Sequence, residues 1–149
     1  MRPALVVTNG TQSTAQSTRE TMPKGAPPVW KRLGAAGVPV LAIRDNPRFV
    51  FAGPTCLARS GEGSERCSIP ARRMLAKVSP FDASGLDNVR VADFTSWICP
   101  DGICSAAQNG VVVYRDDDHL ARTFVLLNEP QISAALDAAL DASSVDQPR

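Results

Sequence analysis

Histidine, aromatic side chains and long apolar runs are scarce in this 149-residue sequence. Its single His excludes a multi-histidine metal site. No apolar stretch approaches the ~18 residues of a membrane-spanning helix, so none is expected within this chain. Behind Arg2 the apolar run is only Ala4 to Val7, short of the roughly 7–15 residues in the core of an export signal, and it reads better as a short buried strand. A net charge of +1 gives no electrostatic case for nucleic acid. With 5% aromatics, much of the core must be Val, Leu, Ile and Ala. At 44% hydrophobic and 21% charged the composition excludes wholesale disorder, and the length suits one domain.

The charges that are present lie unevenly. Residues 1–80 hold 12 Lys+Arg and 4 Asp+Glu, whereas residues 81–149 hold 4 and 11. Either the halves fold together and offset one another, or Arg44, Arg48, Arg59, Arg66, Arg72 and Arg73 form a basic face for an anionic glycan or lipid surface.

Periodicity and punctuation predict an alternation of strands and helices. A strand is expected at 4–8, then mostly loop over 9–28. A helix over 27–36 turns Val29, Trp30, Leu33 and Ala36 to one side and ends at Gly37. The run at 38–43 lacks polar alternation, as in a strand covered on both faces. Residues 52–68 read as irregular. A short helix is expected at 69–77, capped by Ser68, with Met74, Leu75 and Val78 inward. A strand follows at 88–94, and Gln108-Asn109-Gly110 signals a hairpin before 111–114. The last helical region is expected from near Asp116 to about 141, broken at Pro130, with Leu120, Phe124, Leu127, Ile132, Leu136 and Leu140 inward; residues 142–149 read as a frayed tail. This alternation predicts an α/β fold with a parallel sheet. Ligands then belong beyond the carboxyl ends of the strands, at Thr8-Asn9, Arg44-Asp45 and Phe94-Thr95.

The four cysteines fall into two local pairs. Cys56 and Cys67 enclose a polar loop; Cys99 and Cys104 enclose Pro-Asp-Gly-Ile. The spacings are not those of a zinc ribbon or finger. Two disulfides, free buried thiols and a metal site are the three readings, and the redox compartment decides among them.

The strongest chemical signal is Tyr114-Arg115-Asp116-Asp117-Asp118-His119-Leu120. At a helix entry, positions i and i+3 share a face, so the Asp116 carboxylate can orient the His119 imidazole and leave one ring nitrogen free as a base. That base can activate a serine hydroxyl. The competing reading makes Asp116 a helix cap and Asp117 and Asp118 acidic first-turn residues.

The stretch from Val91 to Leu120, with Asp93 at a strand end, the Cys-Pro-Asp-Gly-Ile-Cys turn and the Val-Tyr-Arg-Asp-Asp-Asp-His-Leu block, resembles the end of the SGNH (GDSL-like) hydrolase domain fused to bacterial membrane acyltransferases. Residues 35–48 and the loop between Cys56 and Cys67 resemble its middle. The resemblance covers roughly residues 4–140 and implies an incomplete flavodoxin-like three-layer α/β sandwich with a mainly parallel sheet, placed in residues 1–141. It implies Asp116 and His119 as triad acid and base, no cofactor, and transfer or removal of acyl groups, commonly acetyl, on envelope glycans or glycolipids. The implied partner is a membrane acyltransferase domain fused upstream; the implied location is the extracytoplasmic face of the membrane.

The departures are specific. No Gly-Asp-Ser nucleophile motif occurs, and the Gly block of the oxyanion hole is missing. Gly63-Ser64 lacks a strand-to-turn context. Asn9, at a strand end, is the oxyanion-hole candidate, although Thr-Asn-Gly is not the family's usual pattern there; Ala121 stands where Thr often follows His-Leu. The expectation is therefore a carboxyl-terminal portion of such a domain, inactive alone, with a non-catalytic glycan-binding module or a decayed fragment as the alternative. An unpaired apolar edge on the strand at 4–8 would then make the isolated chain poorly soluble, which a cooperative melt of a monomer would contradict.

Overall fold

The structure, a computed structural model, describes residues 3–15, 17–83 and 86–144. From the amino end the chain lays down strand β1 (Val6–Asn9), a ribbon of β2 (Gln12–Thr14) and β3 (Ser17–Thr21), helix α1 (Ala26–Ala35) and strand β4 (Val40–Ile43). Helix α2 (Gly53–Ser60) follows, then β5 (Ser68–Pro70), β6 (Val89–Ala92), the short helix α3 (Thr95–Ile98) and β7 (Ile103–Ser105). A hairpin of β8 (Ala107–Gln108) and β9 (Val111–Val112) leads to helices α4 (Arg122–Leu127) and α5 (Glu129–Ser144).

β1, β4 and β6 form a parallel sheet in the order β1-β4-β6, with Val6 opposite Val40 and Val40 opposite Val89. The apolar run of β4 is explained by its central place. Val40 and Ala42 pack on one face with Trp30 of α1, Phe81 and Val89; Leu41 packs on the other with Ala92 and Ala139 of α5. Side chains alternate across a strand, so a central strand flanked by two helices must be apolar at every position. Helices thus cover both faces of the sheet. At its outer edge, β1 leaves Val7 about half exposed. Gly10, just past β1, donates its N–H to the Ile43 carbonyl at 2.6 Å, and a Cβ there would meet Ala42 and Ile43 at a tight 3.2–3.3 Å, so the close approach favours glycine.

The region beyond the carboxyl ends of these strands has its own core. Phe49, Met74, Ile98, Val113, Tyr114 and Phe124 cluster there with Cys67, Cys99 and Cys104. Both cysteine pairs are disulfides, Cys56–Cys67 and Cys99–Cys104. The first joins α2 to a 3-10 turn at Glu65–Cys67; the second closes the Pro-Asp-Gly turn. Opening a bridge frees the unfolded chain more than it changes the fold. Cys56→Ala/Cys67→Ala is therefore expected to cost about 3 kcal/mol and Cys99→Ala/Cys104→Ala, with its shorter loop, about 2 kcal/mol in urea unfolding. Unchanged midpoints would show that the bridges constrain nothing.

Several elements differ from the sequence expectation. The segment at 9–28 contains the β2–β3 ribbon, whose buried positions are the polar Ser13 and Glu20 and so carry no apolar signal. Residues 53–60, expected to be irregular, are α2, opened by Gly53-Pro54 and closed at Gly61 with φ +82°. The helix expected at 69–77 is instead strand β5 against β7 and a single 3-10 turn, Ala71–Arg73. The Ser68–Ser105 hydroxyl pair across β5 and β7 favours the strand. Met74 and Leu75 are buried, but Val78 is 64% exposed. Asn109 and Gly110 both have positive φ, as the tight β8–β9 hairpin requires. The last helical region begins at Arg122, six residues later than expected, and Asn128 separates its two helices just before Pro130. Leu127 faces solvent, while Ala139 takes the buried place on α5. The tail expected at 142–149 falls mostly outside the described residues. Among the described residues no helix is long and apolar enough to cross a membrane.

Candidate active site

Tyr114 and Leu120 pair across a tight loop that contains Asp116, Asp117, Asp118 and His119. Its neck is closed by Arg115 N–H donating to the His119 carbonyl at 2.9 Å and Ala121 N–H donating to the Val113 carbonyl at 2.8 Å. The Asp116–His119 segment is therefore a loop and not a helix entry. The cause is the Asp116 side chain. Its Oδ1 accepts the backbone N–H groups of Asp118 (3.0 Å) and His119 (2.7 Å), satisfying them without a helix. The cap expected of Asp116 is real in chemistry, but it caps a turn.

The other carboxylate oxygen of Asp116 lies 2.9 Å from His119 Nδ1. Asp118 Oδ1 lies at the same distance from the same nitrogen. Asp116 accepts from Nδ1 and Asp118 stands in ion-pair contact with it, so the hydrogen belongs on Nδ1, and in the neutral ring Nε2 keeps its lone pair. Nε2 makes no hydrogen bond among the described residues, and the side chain is 61% exposed. Cations flank the two acids: Arg48 contacts Asp118 at 2.6 Å and Arg115 lies 3.5 Å from Asp116. One ligand atom each from Asp116, Asp118 and His119 lies within 4.8 Å of the others, a set able to take a divalent cation, although hydrogen bonding already spends those atoms on one another.

The Asp116 carboxyl is held well below the usual carboxylate range, first by the His119 backbone N–H, then by that of Asp118, with the His119 ring adding to both. A depressed folded pKa stabilises the loop fully above the ordinary carboxylate pKa, and that contribution disappears only as pH falls through the depressed value. A carbon-detected NMR titration is expected to show Asp116 still ionised where ordinary aspartates have protonated. Titration at the ordinary value would mean that the turn does not hold in solution.

This loop is fastened to the sheet. Phe49 N–H donates to the Asp117 carbonyl (2.8 Å), Gly53 N–H to the Asp116 carbonyl (2.9 Å), and the Asn46 side-chain amide to the Asp118 carbonyl. Residues 46–53 follow the carboxyl end of β4, so the Asp–His pair stands off that end of the sheet, where open α/β folds place their ligands. Gly53 permits the approach: a Cβ there would lie 3.1 Å from the Tyr114 carbonyl oxygen.

The other sequence candidates lie elsewhere. Asn9 ends β1 opposite Ile43, is exposed, and makes no hydrogen bond with the Asp–His pair. Ser64 caps the 3-10 turn, its Oγ accepting from Arg66 N–H at 3.4 Å. The four cysteines are spent on disulfides. Asp118, Asn46 and Arg48 were not singled out as members of the site. Asp118 stood in the sequence beside Asp116 and invited a helix-dipole reading; the register of Asn46 and Arg48 against the loop has no local signal.

A family model described as an SGNH domain fused to AT3 domains matches residues 9–134. No curated protein and no solved structure matches the chain.

Proposed function

The chain belongs to the family of SGNH domains fused to AT3 domains, and from that premise we propose that it is the acid–base portion of an acyl-transfer or ester-hydrolysing centre. His119 is the general base and Asp116 the carboxylate that orients it. The observation that supports this reading best is the Asp116 hydrogen bond to His119 Nδ1, with Asp118 Oδ1 in contact beside it, which leaves Nε2 unengaged on an exposed side chain. In this reading Nε2 takes the proton of a serine hydroxyl as that oxygen attacks an acyl carbonyl, then returns it to the leaving oxygen. The charge that develops on the ring during attack is met by Asp116 and Asp118. No Gly-Asp-Ser motif occurs in the 149 residues, so the hydroxyl comes from a segment outside them, completing a flavodoxin-like sandwich. Asn9 is the proposed oxyanion-hole donor, by its place at the end of β1.

The AT3 acyltransferase domains to which the family is fused provide the acyl group, and the acceptor is a glycan or glycolipid of the cell envelope, with acetyl the proposed acyl group. Two disulfides suit an oxidising, extracytoplasmic setting. The test is turnover of p-nitrophenyl acetate. The 149-residue chain alone is expected to show none, and the chain joined behind a Gly-Asp-Ser-bearing segment is expected to gain it. Equal turnover by the chain alone would place the nucleophile within these residues and refute the assignment of roles.

A further inference from the structure

Beside the Asp–His loop lies a cleft of about 500 Å³, walled by Arg48, Arg66 and Arg73 and floored by Phe51, Ile69 and Met74. Of the six arginines read as a possible basic face, the fold sorts them unequally. Arg44 is consumed inside, against Glu20 and Asp93. Arg48, Arg66 and Arg73 converge on this cleft. Arg48 is paired with Asp118 at 2.6 Å and lies 3.7 Å from Asp45. Arg66 and Arg73, in contrast, are exposed and have no carboxylate within 4.0 Å among the described residues. Both are set by short rigid turns. Arg66 sits in the turn that ends at the disulfide-bonded Cys67, and Arg73 ends the 3-10 turn Ala71–Arg73.

Unpaired guanidiniums in one cleft repel each other, and an anion between them relieves that repulsion while accepting forked hydrogen bonds. The apolar floor suits the carbon face of a sugar ring, and the volume suits a small ligand or a few sugar units. The cleft and the base are also connected. Arg48 holds one oxygen of Asp118 and His119 Nδ1 holds the other, so a ligand in the cleft lies one carboxylate away from the proposed base.

We propose that this cleft binds the acidic group of an anionic sugar, a uronate carboxylate or a sugar phosphate, and so selects the glycan presented to His119. That the sugar is the substrate rests on the ester-chemistry reading; that the cleft binds it does not. The 149-residue chain is titrated at low ionic strength with an oligogalacturonate, a sugar phosphate, a neutral oligosaccharide of equal length and phosphatidylglycerol vesicles. Methyl NMR shifts of Ile69 and Met74 report on the cleft. Saturable binding of the acidic sugars is expected, at least about tenfold weaker in Arg66→Gln/Arg73→Gln and weakened by salt. The two acidic arms tell carboxylate from phosphate. Both replaced side chains are exposed, and Arg66→Gln and Arg73→Gln singly provide milder variants if the double one misfolds. Equal binding of the neutral sugar, no binding of either acidic sugar, or no effect of the arginine substitutions overturns the proposal. Arginine-dependent capture by the vesicles without saccharide binding assigns the cleft to a lipid surface and overturns it equally. A wrong base assignment would leave all of these results intact and appear only in ester turnover.

Discussion

His119→Ala is expected to lower kcat for an acetyl ester by about 10³-fold in the protein carrying a Gly-Asp-Ser segment, with KM little changed. Nε2 is the only base the reading employs, and the ring belongs to none of the three apolar clusters. The loss should therefore fall on the chemical step and not on folding. The acidic partners should behave differently from a site with a single carboxylate. Asp116 accepts the Nδ1 hydrogen bond and Asp118 Oδ1 lies at the same 2.9 Å, so Asp118 is placed to take the hydrogen when Asp116 is replaced. Asp116→Asn keeps an oxygen to accept the two backbone N–H bonds and should cost only about tenfold, as should Asp118→Asn. Asp116→Asn/Asp118→Asn should approach the His119→Ala loss, more than the two single losses multiplied, because no carboxylate is then left to hold the Nδ1 hydrogen. Wild-type turnover by His119→Ala in an otherwise active protein would place the base elsewhere. Additive losses in the two asparagine variants would mean that the carboxylates act separately.

The parts of this fold that were legible are those with local, one-dimensional signals. The apolar run at 38–43 announced a strand covered on both faces, and β4 is the central strand between α1 and α5. Trp30, Leu33 and Gly37 announced α1 and its end; Asn109-Gly110 announced a hairpin. The Asp116–His119 contact was legible from spacing, though for the wrong local reason, since a side-chain-capped turn brings i and i+3 together as readily as a helix does. What was not legible depends on partners far away in the chain. Ser68 and Ile69 read as a helix start, but the strand they form is set by Ser105 and Cys104, over thirty residues on. The basic half of the sequence gave no hint that Arg44 would be interior while Arg66 and Arg73 have no carboxylate partner among the described residues; the place of Arg44 follows from where Glu20 lands.

Glu20→Ala is expected to cost about 3–5 kcal/mol, a fall in melting temperature on the order of 10 °C. The Glu20 carboxylate is fully buried, and the Arg44 guanidinium beside it is 8% exposed. Arg44 donates to both Glu20 oxygens at 2.7 and 2.9 Å, to Asp93 at 2.9 Å and to the Ala76 carbonyl at 2.7 Å. Glu20 also accepts from Thr11 at 2.8 Å, and Thr11 in turn accepts from the Asp45 backbone N–H. The hydrogen bonds to Glu20 raise the Arg44 pKa above its usual value. Burial works to raise that of Asp93, but hydrogen bonds from Thr95 and Arg44 outweigh it and hold the carboxyl below its usual range. Truncating Glu20 leaves a buried cation with one exposed carboxylate, and it leaves the β2–β3 ribbon tied to the end of β4 mainly through Ser13 and Asp45. The large penalty comes from the uncompensated charge and not from the pair itself, so two controls separate these terms. Glu20→Gln keeps an acceptor for Arg44 and for Thr11 and should cost roughly half as much. Glu20→Met/Arg44→Met removes both charges and should recover part of the Glu20→Ala loss, since apolar replacement of a buried pair is often close to neutral. Urea unfolding at neutral pH measures all three. A Glu20→Ala cost below about 1 kcal/mol, the range of an exposed ion pair, would show that water reaches the cluster and that this corner of the strand-end rim is not locked by charge.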